Sequence, residues 1–260
     1  MSNQLALVTG ASSGIGRSLA RELAARGYDL VLCSAGPRLY EVTEEFASYD
    51  VGIEEVSADL ASADGIDILW RTIEALARPL DIACLNAGVG VGGLFWETDL
   101  EEELNMVNLN CTGTVHLAKH VTRHMLQRNA GRMLFTSSIA GEMVAPREAV
   151  YAATKAFVLS FAHSLRYELR ETNVSVTALQ PGPTDTDFFH RAGMDNTKVG
   201  SEGKSESQPD DVAKQGIDAL LAGKDHVYAA SVTTKLEGML ANMTPGALKA
   251  AMHEKMAKPL

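Results

Sequence analysis

Seven short runs of apolar and β-branched residues recur along the chain: LALV (5–8), DLVLC (29–33), IEEVSA (53–58), DIACLN (81–86), RMLFTS (132–137), VSVTAL (174–179) and HVYAA (226–230). Longer amphipathic stretches such as 18–27, 65–77 and 101–128 lie between them, with apolar residues at helical spacing. This alternation restricts the fold more than any other feature. Parallel strands need crossovers, helices supply them, and the crossovers are right-handed, so the expected class is α/β with a mostly parallel, doubly wound sheet.

At 260 residues, one domain spanning 1–260 is expected, because α/β folds reach this size without dividing. Two segments break the rhythm. Residues 185–208 begin with aromatics and end in a Gly/Ser/Lys/Glu stretch, which reads as a lid over the sheet. Residues 233–258 carry methionines at near-helical spacing, broken by Pro245 and Gly246, and read as a helical extension. The formal charge of −10 argues against nucleic acid and anionic membranes as partners. Cys33, Cys84 and Cys111 sit singly in apolar runs, as buried thiols in a reducing compartment do. With no leader pattern and no apolar run of about 18 residues, a cytoplasmic location is expected.

Between the first strand and the first helix runs TGASSGIGR, residues 9–17. Gly10, Gly14 and Gly16 let backbone N–H groups at a helix N-terminus approach a dinucleotide pyrophosphate, which larger side chains would block. Ser12, Ser13, Ile15 and Arg17 complete the turn, and the flanking strand and helix supply the context that a lone glycine cluster lacks.

Tyr151 and Lys155, in AVYAATKAFV, share one helix face at i and i+4. An ammonium beside a phenol favours phenolate, so this pair is expected to bring the tyrosine toward useful acid–base strength. An isolated pair of this kind would be an ordinary surface tyrosine and lysine. Here Ser138, at the end of the fifth strand, offers a hydroxyl for a substrate oxygen, and Asn108 is a fourth polar candidate.

These motifs, with ADL at 58–60, NAG at 86–88 and PGPTDT at 181–186, together resemble the short-chain dehydrogenase/reductase family in its shorter branch of about 250 residues. The resemblance covers residues 4 to about 230. It implies a single-domain Rossmann-type fold, a doubly wound parallel sheet of about seven strands flanked by helices, and NAD(P)-dependent oxidoreductase activity on an alcohol or carbonyl. By resemblance Tyr151 passes the proton, Ser138 orients the substrate oxygen, Lys155 binds the nicotinamide ribose and Asn108 holds a water linked to Lys155. Asp59 and Leu60 meet the adenine, and Asn86, Ala87 and Gly88 back the cofactor. Pro181, Gly182, Thr184 and Thr186 lie along it, with Thr186 at the carboxamide. The resemblance also implies a homodimer or homotetramer and a small-molecule substrate. A nucleotide-sugar epimerase or dehydratase would need a larger C-terminal domain, and a non-catalytic nucleotide sensor would be expected to lack the tyrosine or lysine.

An acid at the end of the second strand binds the 2′-hydroxyl of NAD, whereas a base accommodates the 2′-phosphate of NADP. No Asp or Glu occurs at 33–37, so NADP(H) is favoured and NAD(H) stays possible; Ser34, Arg17 and Arg38 are the candidate phosphate contacts. For the substrate, the resemblance points to the stretches after NAG, after Ser138 and in the lid. Phe95, Trp96, Met143, Phe188, Phe189 and Met194 suggest an apolar substrate, a ketone or aldehyde, with Glu142 or His190 as polar contacts. His116, His120 and His124 recur on one helix face, but with no HExxH glutamate or nearby cysteine as a further ligand they are expected to be a solvated or subunit-facing stripe, and no metal is expected.

Overall fold

The computed structural model describes residues 3–36, 38–197, 207–229 and 253–258. Seven strands run in parallel in the order β3-β2-β1-β4-β5-β6-β7. They are β1 (Leu5–Thr9), β2 (Asp29–Ser34), β3 (Ile53–Ser57), β4 (Leu80–Leu85), β5 (Gly131–Thr136), β6 (Val174–Pro181) and β7 (His226–Ala229). The order reverses between β1 and β4, and at such a switch point the crossovers diverge and leave a crevice above the carboxyl ends of the strands. Burial on both faces explains why the central strands read as unbroken apolar runs; every residue of β1 is buried.

Helices cover both faces. On one side, α1 (Gly14–Ala24), α2 (Arg38–Glu45) and α8 (Pro209–Leu221) pack their Leu19, Leu39 and Ile217 against Val8, Leu32 and Leu134. On the other, α3 (Ala63–Ala75), α5 (Thr114–Gln127) and α6 (Ala149–Glu168) set Leu69, Val121 and Val158 against Val31, Ala83 and Phe135. Helix starts have local causes. The Ser62 hydroxyl accepts from Gly65 N at 3.1 Å to open α3, and the Asp99 carboxylate accepts from Glu101 N and Glu102 N to open α4 (Leu100–Val107).

The single amphipathic stretch expected at 101–128 is two helices joined by a π-helical turn, Asn108–Gly113. One wide turn changes the helical phase, so residues on either side of it face different neighbours than a regular helix would give them. Gly113 lies there against the Leu60 carbonyl, in space that a side chain would fill. In the lid region, residues 198–206 fall outside the description, while α7 (Phe188–Arg191) and its flanks are described. Of the extension at 233–258, the described part is 253–258, whose residues 253–257 are helical.

Candidate active site

A cavity of about 360 Å³ opens at the switch point and runs from the glycine turn to Tyr151. At one end Gly10 and Gly14 hold left-handed backbone, φ +67° and +52°, which favours glycine. A Cβ on Gly16 would collide with the Gly10 carbonyl, so the turn closes tightly against the start of α1. The result is a cradle of backbone N–H groups at a helix N-terminus, a shape that fits a dinucleotide pyrophosphate.

Hydrogen bonds lock the ends of β1, β4 and β5 together beneath this cradle. The Thr9 hydroxyl accepts from Asn86 N at 2.9 Å and Ala87 N at 3.0 Å, and Asn86 Nδ2 donates to Thr9 O at 3.0 Å. Thr136 Oγ1 donates to Asn86 Oδ1 at 3.0 Å. Asn86 is therefore a brace that holds Ala87 and Gly88 at the cavity wall, with Thr9 and Thr136 as its partners.

At the far end, Ser138 accepts at its Oγ from Ala140 N at 3.1 Å and donates to Pro181 O at 3.5 Å, close enough to Tyr151 to act on its phenol. Lys155 Nζ donates to Thr136 O at 3.0 Å and lies 5.7 Å from the centre of the Tyr151 ring. Both residues are buried. Burial pushes the Tyr151 phenol above its ordinary value, the Glu148 charge adds to the rise, and the Ser138 hydroxyl opposes both. Burial also pushes the Lys155 ammonium down to about 8. The expectation that Lys155 makes Tyr151 acidic is thus not met in the protein alone. The amine is directed to a backbone carbonyl, and it is itself drawn toward its neutral form.

Asn108 is also corrected. It is exposed at the start of the π-turn, whereas Asn110 is buried at 1% exposure. Asn110 Nδ2 donates to Val89 O at 2.9 Å and to Thr154 Oγ1 at 3.0 Å, while its Oδ1 accepts from Val89 N at 3.0 Å. A Cβ at Gly88 would stand 3.1 Å from Asn110 Oδ1 and 3.2 Å from Lys155 Nζ, so the two polar groups converge on this glycine.

Ser12, Ser13, Ile15, Asp59, Leu60, Pro181, Gly182, Thr184 and Thr186 all line the cavity. Ser34 does too, with its hydroxyl 2.8 Å from that of Ser12. Arg17 and Arg38 do not. Arg17 is paired with Glu45, and the exposed Arg38 lies 3.5 Å from Asp187. Each guanidinium has found a carboxylate outside the cleft. The arginine that does line it is Arg191 from the lid, which donates from Nη2 to Ser13 Oγ at 3.3 Å.

Of the apolar candidates, Met143, Phe188 and Phe189 line the cavity, and the Phe188 ring lies 5.2 Å from that of Tyr151. Met194 does not; it is buried behind the lid with Phe189, Ala192 and Ala257. Phe95 and Trp96 are exposed, Glu142 accepts from Gln180 and Tyr228, and His190 pairs with Asp195 at 2.6 Å. The wall also includes Glu148, His253 and Met256, the last two from the methionine-bearing extension. His253 Nε2 lies 3.0 Å from Glu148 Oε2, and its Nδ1 lies 3.1 Å from Pro146 O. Arg147 Nε donates to Glu254 Oε1 at 3.0 Å, so adjacent residues of two distant segments pair side by side. Sequence held no local signal for that pairing.

The short chain dehydrogenase family model matches residues 4–197. The chain belongs to that family. Among its relatives, the 3-oxoacyl-[acyl-carrier-protein] reductase MabA of Mycobacterium tuberculosis is 29% identical over 236 residues, 89% of this chain and 90% of the relative. An uncharacterized oxidoreductase of Myxococcus xanthus is 37% identical over 183 residues, 70% of this chain and 72% of the relative. Among solved structures, a short-chain dehydrogenase from Sphingobium yanoikuyae in complex with NADPH superposes with a TM-score of 0.80 at 29% identity, covering 86% of this chain and 87% of that one. As a short-chain dehydrogenase, the chain is an oxidoreductase that takes a nicotinamide dinucleotide, and the glycine cradle and braced cavity fit that cofactor. Among the described residues no helix is long and apolar enough to cross a membrane.

Proposed function

We propose that this short-chain dehydrogenase is an NADP-preferring reductase of apolar ketones or aldehydes, with Tyr151 as the proton donor. The observation that carries the reading is the convergence of Ser138, Tyr151 and Lys155 at the end of a glycine-floored cleft, with Asn110 meeting Lys155 across Gly88. The nicotinamide, once bound, supplies the hydride. Ser138 holds the substrate oxygen, and Tyr151 gives it a proton. A phenol held above its ordinary value by burial stays protonated at neutral pH, which suits donation to a carbonyl being reduced. Lys155 binds the ribose, and Asn110, in place of Asn108, holds the water through which the proton is replaced.

NADP preference rests on the end of β2, where Cys33, Ser34, Ala35 and Gly36 provide no carboxylate to repel a 2′-phosphate. The NADPH complex of the Sphingobium relative agrees with this. Phe188, Phe189, Met143 and Met256 support an apolar substrate. The protein acts in the cytoplasm as a homo-oligomer.

The test is consumption of NADPH or NADH with a panel of aliphatic ketones, aryl ketones, aldehydes and 3-oxoacyl thioesters. Tyr151→Phe is expected to abolish turnover while leaving the dissociation constant of NADPH within about twofold. Undiminished turnover in that variant would remove Tyr151 as the donor, and a tighter dissociation constant for NADH than for NADPH would remove the cofactor preference.

A further inference from the structure

Away from the cleft, α3 and α5 lie side by side and divide the three-histidine stripe of α5 into two parts. His124 serves the sheet: its Nε2 accepts from Leu80 N at 3.2 Å, and its ring meets Trp70 edge-on at 5.7 Å. His116 and His120 have rings 5.2 Å apart, and neither has a hydrogen-bond partner among the described residues. Asp67, from the first turns of α3, comes up beside them. One ligand atom from each of Asp67, His116 and His120 lies within 4.8 Å of the other two, and all three residues are partly exposed. The histidine stripe has no further ligand near it in sequence, and the packing of α3 on α5 supplies one.

We infer that Asp67, His116 and His120 form a binding site for a divalent transition metal ion that bridges α3 and α5. Two imidazoles at i and i+4 present their nitrogens from one helix face. Around zinc, with bonds of about 2.0–2.1 Å, neighbouring ligand atoms stand about 3.3 Å apart, a separation that side-chain rotation reaches from the present arrangement. The His120 ring is already oriented, stacked on Trp70 at 5.0 Å, and Trp70 is fixed by its indole N–H to Glu74 at 2.8 Å. Asp67 is weakly engaged elsewhere, 4.0 Å from the well-exposed Arg71. Three protein donors leave a fourth position for water. Imidazole with carboxylate selects zinc, nickel, cobalt or copper over magnesium and calcium, which favour all-oxygen ligands. The bound ion would tie α5, which runs on from the turn carrying Asn110, to α3. None of the three residues lines the cavity, and the ion would take no part in the reaction itself.

Isothermal titration of the full, untagged chain with zinc, after treatment with a chelator, is expected to give one ion per chain with a dissociation constant of about 1–10 μM. Cobalt at one equivalent is expected to give a visible ligand-field band. Asp67→Asn, His116→Gln and His120→Gln should each weaken zinc binding about tenfold or more and abolish the cobalt band, while retaining NADPH binding as evidence of folding. His163→Gln, on α6, should change neither readout. The proposal is overturned by absence of zinc binding at millimolar concentration, by unchanged stoichiometric binding in the His116→Gln/His120→Gln double variant, or by magnesium binding as tightly as zinc.

Discussion

Asn110 donates from Nδ2 to the Thr154 hydroxyl at 3.0 Å, and that hydroxyl in turn donates to the Tyr151 carbonyl at 2.7 Å. The π-turn is thereby fastened to the helix that carries both the proposed acid and its lysine. Asn110→Ala would leave the Val89 backbone groups and Thr154 without this partner, at a cost of about 1–3 kcal/mol for buried polar groups losing hydrogen bonds. We expect Asn110→Ala to lower kcat at least tenfold and to lower Tm, whereas Asn108→Ala, at an exposed position, changes neither by a measurable amount. Steady-state kinetics and thermal melts on the two variants check this, and equal effects would refute the assignment.

Lys155 is buried with its pKa pushed down to about 8. A folded value below the ordinary one means that the unfolded chain binds more protons between about pH 8 and 10.5. Stability therefore rises with pH across that window, and the cost of burying the ammonium is fully present below pH 8. At about 1.4 kcal/mol for each pH unit, that cost approaches about 3 kcal/mol, before allowing for the hydrogen bond to Thr136. Lys155→Met should accordingly be more stable than the parent at pH 7 by about 1–3 kcal/mol in urea melts, with the difference shrinking toward pH 10.5, while turnover is lost. A variant destabilised equally at all pH values would show the lysine to be a structural asset instead.

The strands were legible because burial on both faces of a parallel sheet demands apolar runs, and the glycine turn because backbone must approach backbone there. The exchange of Asn108 for Asn110 was not legible. Regular helical spacing gives no sign of a π-turn, and asparagines at 105, 108 and 110 offered three phases for one role. The helix α2 carries a weak signal of its own, since its RLYEVTEE buries little beyond Leu39 and Val42. The partners of Arg17 and Arg38 are hidden for a different reason. Their nearest carboxylates, Glu45 and Asp187, lie 28 and 149 residues away in sequence, so competition for the guanidinium becomes visible only in the fold.

Cofactor choice can be tested at two separate points of the cleft. Ser34→Asp places a carboxylate at the end of β2 and should weaken NADPH about tenfold or more while leaving NADH equal or tighter. Arg191 reaches the glycine turn at Ser13 and not the end of β2. Arg191→Ala is therefore expected to weaken both nucleotides alike, by about tenfold for loss of about 1.5 kcal/mol of charge-assisted hydrogen bonding to phosphate. Fluorescence titrations with each nucleotide separate the two cases. Selective loss of NADPH in Arg191→Ala would instead place this arginine at the 2′-phosphate.

The pairing of His253 with Glu148 puts a buried ionisable pair, each side chain 7% exposed, in the wall of the substrate end, three residues before Tyr151. Removing one partner leaves the other desolvated and unpaired, which is normally far more costly than removing both. Here, however, the contacts of 253–258 with other described residues include the Glu148 and Arg147 pairs, the His253 Nδ1 contact with Pro146 O and the packing of Ala257 against Phe189, Ala192 and Met194. Release of that segment lets Glu148 hydrate, so the loss should fall on the substrate wall and not on global stability. His253→Ala is expected to raise KM for apolar ketones about fivefold or more, with the NADPH dissociation constant unchanged and Tm lowered only slightly. Because the damage then comes from a hydrated, unpaired carboxylate standing in an apolar substrate wall, His253→Ala/Glu148→Gln should recover part of the KM loss, giving a coupling of about 1 kcal/mol or more in a double-mutant cycle. Strictly additive effects would mean that the two side chains neighbour each other without acting as a unit, and that the segment is held over the cleft by its other contacts.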